Sequence, residues 1–272
     1  KRRSLECVEL LVKRGADLDA CDIFGYTPLH YAVRLDREDI VSFLLEQQAN
    51  CDVTTDDVGL SLLHIGARFA SVPVIKLLLS KSLDVNALDK RMWIPLNYAV
   101  MRHDGLDVVT LLIKNGSALN NTDMLKVSLL HCATVSDSPE IAEPLVENGC
   151  RMDAKDESGW NALHYCARYD ARAFLQTLLE YGAHPSPSDP ADIAPYDVAV
   201  FFKHQEIMNQ LKQASGFKEP LGDRRWLDCE SSSLSRQVRL DEELDLAELT
   251  NLRGVLAYST NTAAKDRMCV IS

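Results

Sequence analysis

One four-residue block recurs along the chain, as Thr27-Pro28-Leu29-His30, Ser61-Leu62-Leu63-His64, Ile94-Pro95-Leu96-Asn97, Ser128-Leu129-Leu130-His131, Asn161-Ala162-Leu163-His164 and Ala194-Pro195-Tyr196-Asp197. The start-to-start spacings are 34, 33, 34, 33 and 33 residues. So regular a period constrains the fold before composition is considered. A unit of this length cannot bury its own apolar face and must stack on its neighbours.

The local chemistry of each unit reads as two helices. Thr27 is a good N-cap, and Pro28 falls at the first helical position, where its missing N–H costs nothing. Pro95 and Pro195 occupy the same place. A second apolar stripe follows in each unit: Ile40, Val41, Leu44 and Leu45; Val74, Ile75, Leu78 and Leu79; Val108, Val109, Leu112 and Ile113. That spacing predicts a helix with one face against the next unit. Leu44, Leu78, Leu112, Leu145 and Leu178 are expected to be buried between units. Gly15, Gly116, Gly149 and Gly182 stand where left-handed helix caps belong. Polar linkers then lead to Asp22, Asp89, Asp123 or Asp156 and a turn.

The block and the period resemble the ankyrin repeat, whose length and T-P-L-H signature they match over residues 1–215. The resemblance implies an all-α ankyrin-repeat solenoid of helix-turn-helix units, with β-hairpin loops projecting sideways. Six complete units are expected after a partial first one, since residues 5–14 give a second helix with no first helix before it. Upstream sequence is expected to complete that unit. The last unit reads as a cap, with Lys212 and Asp197 where earlier units put an apolar residue and the signature His or Asn. In the fourth complete unit, Pro144 lies well inside the second helix and is expected to weaken the stack there.

After Ser215 the period stops. Residues 216–272 read as a linker and a mostly disordered tail, with an amphipathic helix predicted over 238–258 from Leu240, Leu244, Leu249, Leu252 and Leu256. The last four residues, Cys269-Val270-Ile271-Ser272, fit the C-a-a-X pattern for prenylation of Cys269, with Ser favouring a farnesyl group. This predicts peripheral membrane association through one lipid chain.

Composition excludes several functions. Twenty-nine basic residues against 40 acidic ones give a net charge of −11, which argues against sequence-independent nucleic-acid binding. None of the eight cysteines forms a C-x-x-C pair, and most fall inside the repeat pattern. They read as reduced thiols, which predicts a cytoplasmic protein. The signature histidines, one per unit, are too far apart to share a metal. No phosphate loop, nucleophile elbow, kinase signature or H-E-x-x-H is present. The chain is therefore expected to lack catalytic residues, cofactors and metals of its own.

Protein recognition remains. In the resemblance, turn tips and first-helix ends line a concave groove. The tips are apolar for exposed turns: Ile23, Phe24, Tyr26, Met92, Trp93, Met124 and Trp160. The helix ends carry Arg34 with Leu35, Arg68 with Phe69, Met101 with Arg102, and Arg168 with Tyr169. Two readings of the arginines stand side by side: a ladder for an acidic segment, or helix-end residues complementing the helix dipole. For Trp93 and Trp160 the contact reading is preferred, because Trp is enriched at interface hot spots. The predicted contact set is Phe24, Tyr26, Arg34, Arg68, Phe69, Trp93, Met101, Arg102, Trp160, Arg168 and Tyr169. Leu78 and Asp84-Val85-Asn86 resemble ankyrin sites of asparaginyl hydroxylation, with Asn86 as acceptor. The expected function is a monomeric adaptor or scaffold for another protein. The alternative is a regulatory or targeting module of a larger enzyme or channel.

Overall fold

The computed structural model describes residues 2–56, 58–187 and 193–218. The predicted helix at 238–258 and the Cys269 motif lie outside the described residues. A lone helix, α1 (Arg2–Lys13), precedes six helix pairs. These are α2 (Pro28–Arg34) with α3 (Glu38–Glu46), α4 (Leu62–Phe69) with α5 (Val72–Leu79), and α6 (Pro95–Val100) with α7 (Leu106–Lys114). Then come α8 (Leu129–Ala133) with α9 (Pro139–Glu147), α10 (Ala162–Tyr169) with α11 (Arg172–Glu180), and α12 (Pro195–Phe202) with α13 (Gln205–Gln213). First helices pack on first helices and second on second, giving two parallel layers. The implied β-hairpins are reduced to two isolated antiparallel bridges, Thr54–Ser61 and Thr122–Ser128, with no strand among the described residues.

The layers meet on the predicted leucines: Leu44, Leu78, Leu112, Leu145 and Leu178 are all buried. The equivalent residue of the lone helix, Leu11, is 59% exposed.

The signature histidine holds its unit together and, in the second, fourth and fifth units, ties it to the next. The backbone N–H groups of Thr27, Ser61, Ser128 and Asn161 donate to Nδ1 of His30, His64, His131 and His164, at 3.1, 3.1, 3.0 and 3.2 Å. Because Nδ1 accepts, the proton sits on Nε2. That Nε2–H donates into the next unit: His64 to the Trp93 carbonyl at 3.0 Å, His131 to Trp160 at 3.0 Å and His164 to Ile193 at 3.1 Å. Burial keeps the rings neutral. It pushes His30 and His131 down to about 4 and His164 to about 3, and lowers His64. Asn97 and Asp197 substitute on the first half of the task, each accepting its N-cap backbone N–H, at 3.1 and 3.0 Å.

The units also alternate in pairs. The first, third and fifth carry an aromatic before the block and a tyrosine after its His or Asn: Tyr26 with Tyr31, Trp93 with Tyr98, Trp160 with Tyr165. Those tyrosine hydroxyls donate to Asp22, Asp89 and Asp156 at 2.6, 2.7 and 3.0 Å. The second and fourth units have Ile65 and Cys132 there. Their histidines instead meet the next unit's tyrosine edge-on, His64 against Tyr98 at 5.6 Å and His131 against Tyr165 at 4.8 Å.

Pro144 does not interrupt its helix, and the visible irregularity lies in the helix before it. Helix α9 runs unbroken through Pro144. The carbonyl deprived of its donor belongs to Glu140, which is exposed, so water can serve it. It is α8 that is cut short. Thr134 and Ser136 hydroxyls donate to the His131 and Ala133 carbonyls at 2.7 and 2.9 Å. The backbone N–H groups from Thr134 to Asp137 each reach back three residues, tightening the helix end.

Two measurements check this account. Leu78→Ala should cost ~2–5 kcal/mol in urea unfolding, whereas Leu11→Ala should cost less than about 1 kcal/mol because its site is already wet. Stability should also fall on acidification. An unfolded histidine binds its proton near pH 6.5 and these folded rings near pH 4 or below, so unfolding takes up protons between those values. Each buried ring should lose on the order of 2 kcal/mol between pH 7 and 5. A urea midpoint unchanged over that range would contradict the neutral-histidine assignment.

Candidate docking face

Turns and first-helix ends lie on one side of the stack, and the turn chemistry decides which side chains reach the surface. In four of the five turns the opening aspartate accepts two backbone N–H groups on one oxygen: Asp22 from Phe24 and Tyr26, Asp89 from Arg91 and Trp93, Asp123 from Leu125 and Val127, Asp156 from Ser158 and Trp160. The residue closing the turn is bound back to that aspartate, because its carbonyl also accepts the Asp N–H.

This geometry turns three predicted contact residues inward. Tyr26, Trp93 and Trp160 close their turns and are buried, Trp160 at 1% exposure. The Trp93 indole N–H donates to Asp123 Oδ2 at 3.1 Å. The Trp160 ring stacks on His164 at 5.6 Å. Trp93 thus staples its unit to the next, Tyr26 and Trp160 pack on rings of their own units, and none of the three stands on an exposed tip.

The arginine ladder also divides. Arg34, Arg68 and Arg168 stand four residues after the signature His, but Arg102 stands five after Asn97, with Met101 in the ladder register. Counting in equal steps of 34 conceals the slip, because the second interval between blocks is 33. Arg102 turns back to the preceding unit, donating to the Ala67 and Ala70 carbonyls at 3.2 and 2.8 Å and to both oxygens of Asp104. That fork holds the Asp104 carboxyl below its ordinary range. Arg102 therefore caps the end of α4. Arg168 is buried, 4.9 Å over the half-buried Tyr169 ring. His204 makes the equivalent bond one pair later, to the Ala167 carbonyl at 2.8 Å.

What remains on the surface lies mostly in the first two pairs. Arg34 and Arg68, both half-buried, converge on Phe69 from successive helices, with guanidinium carbons 5.7 and 5.9 Å from the ring centroid. Phe24, Ile23, Tyr31 and Leu35 are exposed beside them. Met101 is half-buried. The sequence reading overlooked Tyr31, although it sits one helical turn before Leu35 on α2. Leu125, exposed on the fourth turn, was also overlooked.

Asn86 bridges two units, its amide donating to the Gly116 carbonyl at 3.0 Å and accepting from Ala118 N–H at 2.8 Å. Cys132, Cys150 and Cys166 are buried and act as small core residues. Among the described residues no group of His, Cys, Asp or Glu is arranged to hold a metal, and no helix is long and apolar enough to cross a membrane.

A family model described as "Ankyrin repeats (3 copies)" matches residues 1–57, 48–123 and 96–189. The chain belongs to the ankyrin-repeat family. Its similar relatives include the ankyrin repeat protein nuc-2 of Neurospora crassa, 30% identical over 76% of this chain and 19% of that protein. A transient receptor potential cation channel subfamily A member 1 homolog of Caenorhabditis elegans is 27% identical over 79% of this chain and 17% of its own. Inversin of Mus musculus is 30% identical over 62% of this chain and 16% of its own. The chain thus spans less than a fifth of these relatives. Ankyrin repeats are interaction modules, and the matches cover only such repeats.

The structural role of Arg102 is separable from binding. Arg102→Ala should lower unfolding stability by about 1–3 kcal/mol, since it orphans two carbonyls of buried alanines. A variant as stable as wild type would remove Arg102 from the list of helix caps.

Proposed function

We propose that this ankyrin stack is an adaptor surface that binds an acidic segment of another protein across the ends of α2 and α4. The observation that supports it is the convergence of Arg34 and Arg68 on the Phe69 ring, beside exposed Phe24, Tyr31 and Leu35, in a chain of net charge −11. A guanidinium held over a ring keeps its planar fork pre-oriented for carboxylates. The apolar neighbours add area to be buried, which the charges alone would not supply.

A second reading is a recognition module within a larger protein, as the repeats matched here make up less than a fifth of the relatives named above. The chain's relatives include a cation channel and a palmitoyltransferase. The docking chemistry is the same in both. Farnesylation of Cys269 would add membrane recruitment. Incorporation of a farnesyl analogue by wild type and not by Cys269→Ser would support it; equal labelling, or none, would remove it.

Reversing both charges, Arg34→Glu with Arg68→Glu, should weaken binding of an acidic partner peptide about tenfold or more and flatten its salt dependence. Fluorescence anisotropy at 50 and 300 mM salt, which changes the Debye length by about 2.4-fold, reads both effects. Unchanged affinity and salt slope would rule out this face.

A further inference from the structure

The turns form a row in which neighbours are joined by backbone bonds. Asp56 N–H donates to the Phe24 carbonyl, Lys90 N–H to Val58 and Glu157 N–H to Leu125, each at 2.9 Å. Between the third and fourth turns no such bond occurs among the described residues. Side chains bridge instead: Asn121 Nδ2 donates to the Met92 carbonyl at 2.9 Å, and the Trp93 indole reaches Asp123.

The same two turns depart from the others in backbone and in charge. Each turn is closed by an N–H to the carbonyl of its opening residue, made by a residue with positive φ. That residue is Gly25, Gly59 and Gly159 in three turns, at +78°, +77° and +86°. In the third and fourth turns it is Met92 at +68° and Lys126 at +60°. The left-handed region is strained for an ordinary L-residue and not for Gly. At Gly25 the reason for glycine is visible, because a Cβ would lie 2.6 Å from the next turn's Asp56 nitrogen. The open joint after Met92 relieves that crowding but leaves the dihedral strain. Among the described turns, the third and fourth carry this conformation on a side chain, and both side chains face solvent.

The outward residues are Lys90, Arg91 and Met92 on the third turn and Met124, Leu125 and Lys126 on the fourth. Met124 is 65% exposed, with Met92 and Leu125 also exposed. The one carboxylate in each turn, Asp89 or Asp123, is occupied by its own backbone N–H groups. The flanking turns are acidic, with Asp56 on the second and Glu157 on the fifth. Lys90, whose ammonium also donates to the Asp56 carbonyl, Arg91, which lies over the Trp93 ring, and Lys126 thus stand with three apolar side chains in a local patch of the opposite sign to the chain.

We infer that the joint between the third and fourth turns is a docking subsite for an acidic segment of a partner protein, with an aliphatic or aromatic residue of that segment seated on Met92, Met124 and Leu125. This rests on the protein-recognition reading but uses a different surface from α2 and α4. Methionine suits it, because its flexible, polarisable side chain moulds to varied apolar anchors.

The test is methyl NMR on the full chain labelled at its six methionines, titrated with a synthetic peptide alternating Glu with Leu and Phe. Met92 and Met124 methyls should shift, while Met208, on α13, should not. Lys-for-Glu and Ser-for-Leu/Phe control peptides should shift neither. Met92→Gly supplies a signature that a purely structural residue would not give. It should raise the melting temperature by roughly 1–3 °C through relief of strain, and weaken the peptide about tenfold. Silent Met92 and Met124 methyls, or unchanged affinity in Met92→Gly, would overturn the subsite. The Arg34→Glu, Arg68→Glu chain separates the two surfaces. Shifts at Met92 and Met124 that persist in it uphold the subsite even if the helix-end face fails. Shifts at Met101 alone that vanish in it uphold the helix-end face and overturn the subsite.

Discussion

A neutral imidazole with both nitrogens engaged is the interaction on which the stack depends. Nδ1 collects the N-cap N–H of its own first helix, and Nε2–H crosses to a carbonyl of the next unit. One side chain therefore ends a helix and sets the position of the following turn. Serine or threonine could do only the first of these tasks. A charged ring could not do the first at all, since its Nδ1 would no longer accept. The substitutes show the division: Asn97 retains a donor on its amide, while Asp197, in the sixth pair, has none when ionised.

The turn aspartates are the second constraint, and they separate surface from interior. A carboxylate oxygen that gathers two backbone N–H groups fixes the loop tightly enough to dictate where each side chain goes. The middle of the turn is pushed outward and its last residue is drawn in. The side chains proposed to meet a partner thus come from the middle of the turns and the last turn of first helices, while the aromatic residue between them is buried.

Much of the architecture is legible in the sequence because it follows from periodic features. The blocks locate the first helices, the apolar pairs locate the second, and the five leucines at the inter-unit seam are buried as their spacing requires. Side-chain direction within an aperiodic turn is much less legible. Nothing in the residue types says that Trp93 and Trp160 point inward, because that depends on hydrogen bonds to Asp89 and Asp156 made in three dimensions. Arg102 misled for a different reason. A one-residue difference between intervals moves a side chain by about 100° around a helix end, enough to turn it from a ladder position onto a neighbouring carbonyl. The shortening of α8 is written in Thr134 and Ser136, whose hydroxyls compete for helical carbonyls, whereas Pro144 drew attention as the stronger-looking signal.

The alternation of units gives the chain a second, longer period. Tyr31, Tyr98 and Tyr165 lie 67 residues apart, as 98 − 31 and 165 − 98 both show. The interface from a second or fourth unit to its successor contains a histidine against a tyrosine edge; the interface entering a second or fourth unit meets Ile65 or Cys132 instead. Adjacent interfaces are therefore chemically different, although their helices superimpose in plan. The element that can be copied or excised without mismatching a boundary is the pair. Loss of a second or fourth unit would set two tyrosine-bearing units side by side, each with its hydroxyl already committed to its own aspartate, whereas loss of the third would leave the His64 imidazole without its aromatic neighbour. Growth of such a stack by duplication is most easily accommodated in steps of two.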